Sequence, residues 1–354
     1  MKIVHLLWGL STGGVENMLV DIVNNMVESN DISIVVVNDM VDFSIVAKLD
    51  KRIKLYFCGR KRKSRNPIPL IKLFYYLRKI GPEIIHTHYD GLFRYIRGPW
   101  KKVRTIHNTT NDVAEGCHYD VCYAISRAVK DEWKTAGFDT VLVENGICCN
   151  QIVPREGVYD VSSKEIHFVQ VSRLYKKQKG QDILLKALAK VKQNGRCKKK
   201  INMHFVGDGP DREQFQNMAA EFGIDENVFF EGNKTRDWVY ENLCHYDLFI
   251  QPSRYEGFGL TVAEAMAARI PVLISRIEGP LEIITPCDND SSLLGLTFEP
   301  ENVDDLAAKI ELFAEFGIDS ELLNRARNHV LADYDIKETC RRYQEEYLKV
   351  LHKS

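Results

Sequence analysis

The chain opens with an apolar run, Ile3–Trp8. Val15, Met18, Leu19, Ile22, Val23, Met26 and Val27 follow at helical spacing, and then a second run, Ile32–Val37. Runs this short suit buried strands, and the intervening spacing lines one face of a helix. The opening is therefore a strand–helix–strand unit. The alternation continues with strand runs at Ile53–Phe57, Glu83–Thr87, Val103–Ile106, Asp120–Ile125 and Val141–Glu144, and with helices over Leu70–Lys79, near Leu92–Arg97 and over Arg127–Ala136. Strands alternating with helices predict a parallel sheet covered on both faces.

Residues 150–164 break this rhythm with Pro154, Gly157 and two serines, and a new apolar run begins at Ile166–Val171. The second half repeats the grammar. Helices are predicted over Ile183–Val191, Arg212–Phe222, Trp238–Leu243 and Leu260–Ala268, and strands at Ile201–Val206, Val228–Phe230, Asp247–Gln251 and Pro271–Ile274. From Val303 onward the chain reads as nearly all helical. At 354 residues the chain exceeds the size at which one core keeps growing, so two domains are expected. The reading is α/β: a Rossmann-like domain over 1–150, a second over 151–335, and a helix over 336–354 packing back toward the first. Two such doubly wound domains facing a cleft place ligands at the carboxyl ends of strands.

Composition narrows the function. A formal net charge of -1 argues against a dedicated nucleic-acid binder. The charge is nonetheless uneven, basic in the first 150 residues and acidic in the remainder. Nine cysteines without a CxxC pair suit neither a disulfide framework nor a zinc site, and are read as reduced thiols in a cytoplasmic protein. The opening apolar run imitates a short signal peptide, but a glycine pair and an amphipathic helix follow it, so it is read as a strand. No uncharged run approaches the roughly 20 residues that span a bilayer, so any membrane contact is expected to be peripheral.

Chemistry-bearing residues follow the predicted strands. Ser11-Thr12-Gly13-Gly14-Val15-Glu16 puts a glycine pair at a helix start, which is either a tight turn or a place where backbone N–H groups meet a diphosphate. Arg173, in Val171-Ser172-Arg173-Leu174, and Lys179, before Gly180, are either a solvated basic turn or two cations for a diphosphate leaving group. The most informative segment is Pro252 to Ala265. There a strand ends, Gly257-Phe258-Gly259-Leu260 exposes backbone, and a helix begins between two carboxylates, Glu256 and Glu264. Glu256 suits sugar hydroxyls and Glu264 a ribose diol. His107, ending Thr105-Ile106-His107-Asn108, is by itself only a histidine after a strand.

Taken in order, Gly-Gly-x-Glu, Ser-Arg-Leu…Lys-Gly, Val206-Gly207-Asp208-Gly209-Pro210 and Glu-Gly-Phe-Gly-Leu with its Glu-x7-Glu spacing resemble the retaining glycosyltransferases of family 4, which have the GT-B fold. The match runs from Gly13 to Glu282. It implies a sugar-nucleotide donor, UDP-linked by family frequency, whose phosphates meet Gly14, Arg173 and Lys179. By the same resemblance Glu264 would take the ribose, Glu256 the sugar ring, and the backbone of Phe258–Leu260 sugar or phosphate. His107 would lie beside the transferred sugar, Asn145-Gly146-Ile147 would form the turn before the hinge, and Gly279-Pro280-Leu281-Glu282 a loop over the phosphates. Ser172 departs from the family's usual glycine, and Asn108 from an aspartate also seen there. No Asp-x-Asp loop is present, and neither metal nor cofactor is expected, with cations and helix dipoles in the metal's place.

Two further enzyme classes and one non-enzyme remain beside this reading. A sugar-nucleotide 2-epimerase would need extra acid–base groups, a nicotinamide dehydrogenase would need GxGxxG, and a nucleotide-sugar sensor would lack transfer. The stretch Arg60-Lys61-Arg62-Lys63-Ser64-Arg65, with Arg94, Arg97, Lys101, Lys102 and Arg104, is either a solvated flexible loop and surface or a basic face for anionic membrane or a diphosphate-linked acceptor. With family usage, the latter suggests surface-polysaccharide assembly on a polyprenyl-diphosphate carrier.

Overall fold

A computed structural model describes residues 1–11, 13–107, 113–157, 162–286 and 292–352. The chain forms two compact units, one of Met1–Ile147 with the segment from Ile336 onward, the other Cys148–Asp335.

The first unit holds seven strands: β1 (Lys2–Leu7), β2 (Asp31–Asn38), β3 (Lys54–Arg60), β4 (Ile84–Thr87), β5 (Lys101–Ile106), β6 (Val121–Ala124) and β7 (Val141–Leu142). They are parallel in the order β3-β2-β1-β4-β5-β6-β7. Ile32 and Ile34–Val37 of β2 are completely buried, as a strand packed on both faces requires. Met18, Leu19, Ile22, Val23 and Met26 are the buried face of the helix Gly14–Met26. The helix Ile68–Ile80 starts after Pro67 and stops at Gly81, whose φ of 58° is the left-handed stop that glycine adopts at least cost. Pro67 presets the first turn and has no N–H to leave unpaired. The last helix, Ile336–His352, belongs to this unit: Thr339 donates to the Glu144 carbonyl at 2.9 Å, and Arg342 pairs with the Glu144 carboxylate.

The second unit holds β8 (Glu165–Val171), β9 (Lys200–Val206), β10 (Val228–Gly232), β11 (Leu248–Gln251), β12 (Val272–Ser275) and β13 (Leu296–Phe298), parallel in the order β10-β9-β8-β11-β12-β13. Its core joins Phe168, Leu184, Leu188, Phe205, Phe215 and Ile250 to Leu306, Ile310 and Phe313 of the helix Val303–Phe316.

The structure differs from the sequence expectation at several points. The helix expected near Leu92–Arg97 is a single 3₁₀ turn, Leu92–Tyr95. The sixth strand, β13, has three residues, too few to show a period. Arg104, expected on a basic surface, is fully buried: it pairs with Asp90 and Glu115 and lies against the rings of Tyr119 and Trp133. Arg60 closes β3 with its guanidinium 5.9 Å over Trp8, so the exposed basic turn comprises Lys61, Arg62, Lys63 and Arg65. Asn108 lies outside the described residues.

Candidate functional site

In the second unit the loop after β8 carries Arg173, and the fold of that loop depends on two glycines of the neighbouring loop after β9. A Cβ on Gly207 would stand 2.1 Å from the Ser172 carbonyl oxygen, and one on Gly209 2.2 Å from that of Leu174. Only a residue without a side chain permits this approach. Hydrogen bonds then fix the loop, from Ser172 N to Val206 O at 3.0 Å and from Leu174 N to Asp208 O at 3.0 Å. Gln181 adds its amide, donating to Ser172 Oγ at 3.1 Å and to the Arg173 carbonyl at 3.0 Å. The Arg173 side chain is exposed and forms no ion pair with the described residues. Its charge is thus available to a ligand.

Lys179 ends a one-turn helix, Lys176–Lys179, and Gly180 starts the long helix Gln181–Asn194. Gly180 has φ 67°, and a Cβ there would lie 1.9 Å from the Pro252 carbonyl oxygen. This approach brings the loop after β11 against Lys179. Arg254 N donates to Gln178 O at 2.7 Å, and the Lys179 ammonium meets Glu256 Oε1 at 2.6 Å. The same Glu256 oxygen accepts from Ser253 Oγ at 2.8 Å and Gln251 Nε2 at 3.1 Å. Gln251 Oε1 in turn accepts from Thr261 Oγ1 at 3.1 Å. One carboxylate oxygen therefore gathers three donors, which hold it in place at the mouth of the turn.

Arg254 is not part of this charge cluster. It forks onto buried Asp182 at 2.9 and 3.1 Å and pairs with Glu301, tying the loop to the helix behind it. Those carboxylates raise its pKa, the Asp182 hydrogen bond most of all, so it stays charged and structural.

Beyond Glu256 the turn runs through Gly257, Phe258 and Gly259 into the helix Leu260–Ala267. Phe258 is buried edge-on against Tyr334, with ring centroids 5.5 Å apart, which anchors the turn. Gly279, at φ 80°, would place a Cβ 2.9 Å from the Phe258 carbonyl and 3.1 Å from that of Glu256, so the Gly279-Pro280 segment packs directly on the turn. Leu260 is half-buried at the helix start. Glu264 is buried one turn into that helix, with Tyr240 Oη donating to it at 3.3 Å.

In the first unit a Cβ on Gly14 would meet nothing within 4 Å, so its bare backbone answers no packing need within the protein. Glu16 accepts from Tyr89 Oη at 2.6 Å and from Ser11 Oγ at 3.3 Å. His107, just past β5, is buried, with Nε2 3.2 Å from His88 Nδ1. Burial lowers its pKa to about 3. His5, His86 and His88 place ring nitrogens within 4.8 Å of one another, the spacing of a metal-ligand set. Both His86 nitrogens are already engaged, by Tyr347 Oη at 2.6 Å and Thr105 Oγ1 at 2.7 Å, and the trio includes no carboxylate to offset a dication. The trio is a hydrogen-bonded cluster of neutral rings.

Residues 157–329 match the family model described as glycosyl transferases group 1, and residues 12–151 match the model described as glycosyltransferase family 4. The chain belongs to this glycosyltransferase family. Relatives of the family 4 chain include the lipopolysaccharide 1,6-galactosyltransferase of Salmonella typhimurium, 28% identical over 54% of the chain and 51% of the relative. Another is the N-acetyl-alpha-D-glucosaminyl L-malate synthase of Bacillus anthracis, 28% identical over 54% and 48%. The chain spans about half the length of the curated relatives it matches. The structure of an Anabaena protein in complex with UDP and glucose superposes with a TM-score of 0.78 over 98% of this chain and 99% of that one, at 18% identity. That likeness establishes the GT-B fold.

The structure brings Lys179 and Glu256 into contact and places Glu264 on the adjoining helix. Gln251, Ser253 and Thr261 belong to the same network and Gln181 braces the Arg173 loop, and none of the four was anticipated from sequence. Gln251 left one signal, a polar residue closing the otherwise apolar strand Leu248-Phe249-Ile250-Gln251.

Proposed function

We propose that the chain is a retaining, metal-independent glycosyltransferase that moves a hexosyl or N-acetylhexosaminyl group from a UDP-sugar to an acceptor hydroxyl. The observation that carries the reading is the cluster at Glu256: a carboxylate held by Lys179, Ser253 and Gln251 beside the glycine turn of the second unit. A carboxylate accepts hydrogen bonds from sugar hydroxyls, and an adjacent ammonium offsets the charge that develops on a departing diphosphate. In this reading Arg173 and Lys179 carry the leaving group. Glu256 orients the sugar ring, the backbone at Gly257, Phe258, Gly259 and Leu260 lines the donor, and Glu264 takes the ribose. Gly14 and His107 of the first unit are read as further donor contacts. The departing phosphate helps deprotonate the acceptor, in a front-face attack that needs no covalent nucleophile. NMR of the product's anomeric centre tests the stereochemistry: the donor's configuration is expected, and an inverted linkage would sink the mechanism.

Glu264→Ala is expected to weaken nucleoside-diphosphate binding by about 1.5–3 kcal/mol, the worth of a charge-assisted hydrogen bond. Calorimetric titration measures it. Unchanged affinity would remove Glu264 from the site.

The acceptor is proposed to be a polyprenyl-diphosphate-linked glycan in surface-polysaccharide assembly, met at an anionic membrane surface. Beside the basic turn, Ile68, Ile71 and Tyr75 lie at helical spacing on the helix Ile68–Ile80, each more than half exposed, with Lys72, Arg78 and Lys79 exposed as well. An apolar stripe bordered by basic residues suits an interface of acyl chains and anionic headgroups. No helix among the described residues is long and apolar enough to cross a membrane, so this contact would be peripheral. Neutralising Lys61, Arg62, Lys63 and Arg65 is expected to weaken binding to phosphatidylglycerol vesicles at least tenfold and to leave nucleotide affinity intact. Equal vesicle binding by the two proteins would reduce the turn to a solvated surface.

A further inference from the structure

The first unit contains a file of histidines that the reading of His107 does not by itself account for. His5 lies in β1 opposite His86 of β4, His88 follows β4, and His107 follows β5. His86 and His88 alternate onto one face of the sheet, and their rings stack at 4.3 Å. His5 and His88 stack at 5.4 Å, as do His88 and His107. Hydrogen bonds run along the file, His5 Nδ1 to His88 Nε2 at 3.1 Å and His88 Nδ1 to His107 Nε2 at 3.2 Å. All the rings are buried.

A neutral imidazole has one N–H and one lone pair. In a file of three such rings, each hydrogen bond needs a donor on one side only, so the proton position at one end dictates every other. Two arrangements exist. If the N–H groups point away from His107, the file ends on a His5 Nε2–H buried with no acceptor, since that atom has no hydrogen-bond partner. If they point toward His107, His5 Nε2 is an unpaired lone pair instead. Each arrangement leaves one N–H without a partner among the described residues, at His5 Nε2 in the first and at His107 Nδ1 in the second. His5 Nε2 is sealed in the core, so only at the His107 end can a bound ligand accept the proton, and ligand binding favours the second arrangement. It makes His88 Nδ1–H the donor to His107 Nε2 and leaves His107 with its proton on Nδ1, an atom that makes no hydrogen bond with the described residues.

We propose that His88, backed by His5, is a positioning residue that fixes His107 as a neutral hydrogen-bond donor, presenting Nδ1–H to an acceptor oxygen of the bound sugar nucleotide. The proposal rests on the reading of His107 as a donor contact. His107 then supplies no base. It donates to a hydroxyl or phosphate oxygen through a proton whose location is tied, along the file, to that on His5. Burial acts in the same direction, lowering the pKa of His5 to about 3 and those of His86 and His88 well below the usual histidine value, so that the file stays neutral near pH 7. Thr105, Tyr343 and Tyr347 anchor the file from the side: Thr105 Oγ1 bonds Tyr343 Oη at 2.8 Å as well as His86.

The test is two-bond ¹⁵N–¹H correlation on the full chain labelled with ¹⁵N-histidine, which distinguishes the Nδ1–H tautomer, the Nε2–H tautomer and the imidazolium. The His107 resonance, assigned by its loss in His107→Phe, is expected to be the neutral Nδ1–H form from pH 6 to 8. An Nε2–H form or an imidazolium there overturns the proposal. In His88→Phe the His107 resonance should lose its Nδ1–H bias and kcat should fall about tenfold. His88→Gln, whose amide accepts from His5 and donates to His107, should restore both. An unchanged tautomer in a folded His88→Phe protein also overturns it. Full turnover by His107→Phe would instead contradict the reading of His107 as a donor contact, and the wild-type tautomer would still be measured independently.

Discussion

Replacing Lys179 by alanine is expected to lower turnover by about a hundredfold to a thousandfold, with a much smaller loss of donor affinity. The magnitude is that of removing one fixed donor aimed at charge that develops in the transition state. The geometry explains why the loss should fall on kcat. Lys179 already has a partner before any substrate arrives, the Glu256 carboxylate at 2.6 Å, so binding a diphosphate exchanges one anion for another and gains little in the ground state. As the glycosyl bond breaks, the phosphate oxygen becomes the stronger partner and the ammonium follows it. Steady-state kinetics separate the two effects. Equal losses in kcat and in donor affinity would mean ground-state binding, and turnover within tenfold of wild type would remove Lys179 from the chemistry. The protein should stay folded, because Ser253 and Gln251 still hold Glu256 in its place.

Gly180→Ala carries the largest expected effect on stability, a loss of about 3–4 kcal/mol. Two costs add. A non-glycine residue in the left-handed region costs about 1 kcal/mol, and the new methyl would stand 1.9 Å from the Pro252 carbonyl oxygen, a rigid backbone atom that must move. For a unit of this size the loss corresponds to roughly 10 °C in Tm. Gly195→Ala is the control. Gly195 ends the same helix at φ 63° but has nothing within 4 Å of its would-be Cβ, so it should cost only about 1 kcal/mol. Similar melting temperatures for the two variants would show that the close approach of the two loops does not constrain the site. The same displacement at Gly180 should also impair turnover, since Lys179 is the preceding residue.

Much of the architecture was legible because parallel strands are buried on both faces and appear as short, mainly apolar runs. The runs in β1, β2 and β11 are examples, broken or closed only by His5, Ser33 and Gln251, and the helix Gly14–Met26 showed its period directly. Failures came where elements are short or where contacts span long stretches of chain. Nothing in Leu296-Thr297-Phe298 distinguishes a strand from a loop until β12 lies beside it. Arg104 looked like one more surface cation, because its partners Asp90 and Glu115 lie on other loops. In the candidate site, the Glu256–Glu264 spacing and the glycine turn are local and could be read. The pairing of Lys179 with Glu256 crosses 77 positions and depends on Gly180 admitting a carbonyl. The histidine file is assembled from β1 and the ends of β4 and β5, and no spacing along the chain announces it.

Sugar transfer itself is most directly tested by incubating the chain with a panel of UDP- and GDP-sugars in excess chelator, with and without a polyprenyl-diphosphate-linked acceptor, and measuring released nucleoside diphosphate. Release from one UDP-sugar is expected, with full activity in the chelator and acceleration by the acceptor, the sugar being recovered on it. Strict dependence on added magnesium or manganese would contradict the role given to Arg173 and Lys179, and absence of release from every donor with acceptor present would contradict the assignment as a glycosyltransferase.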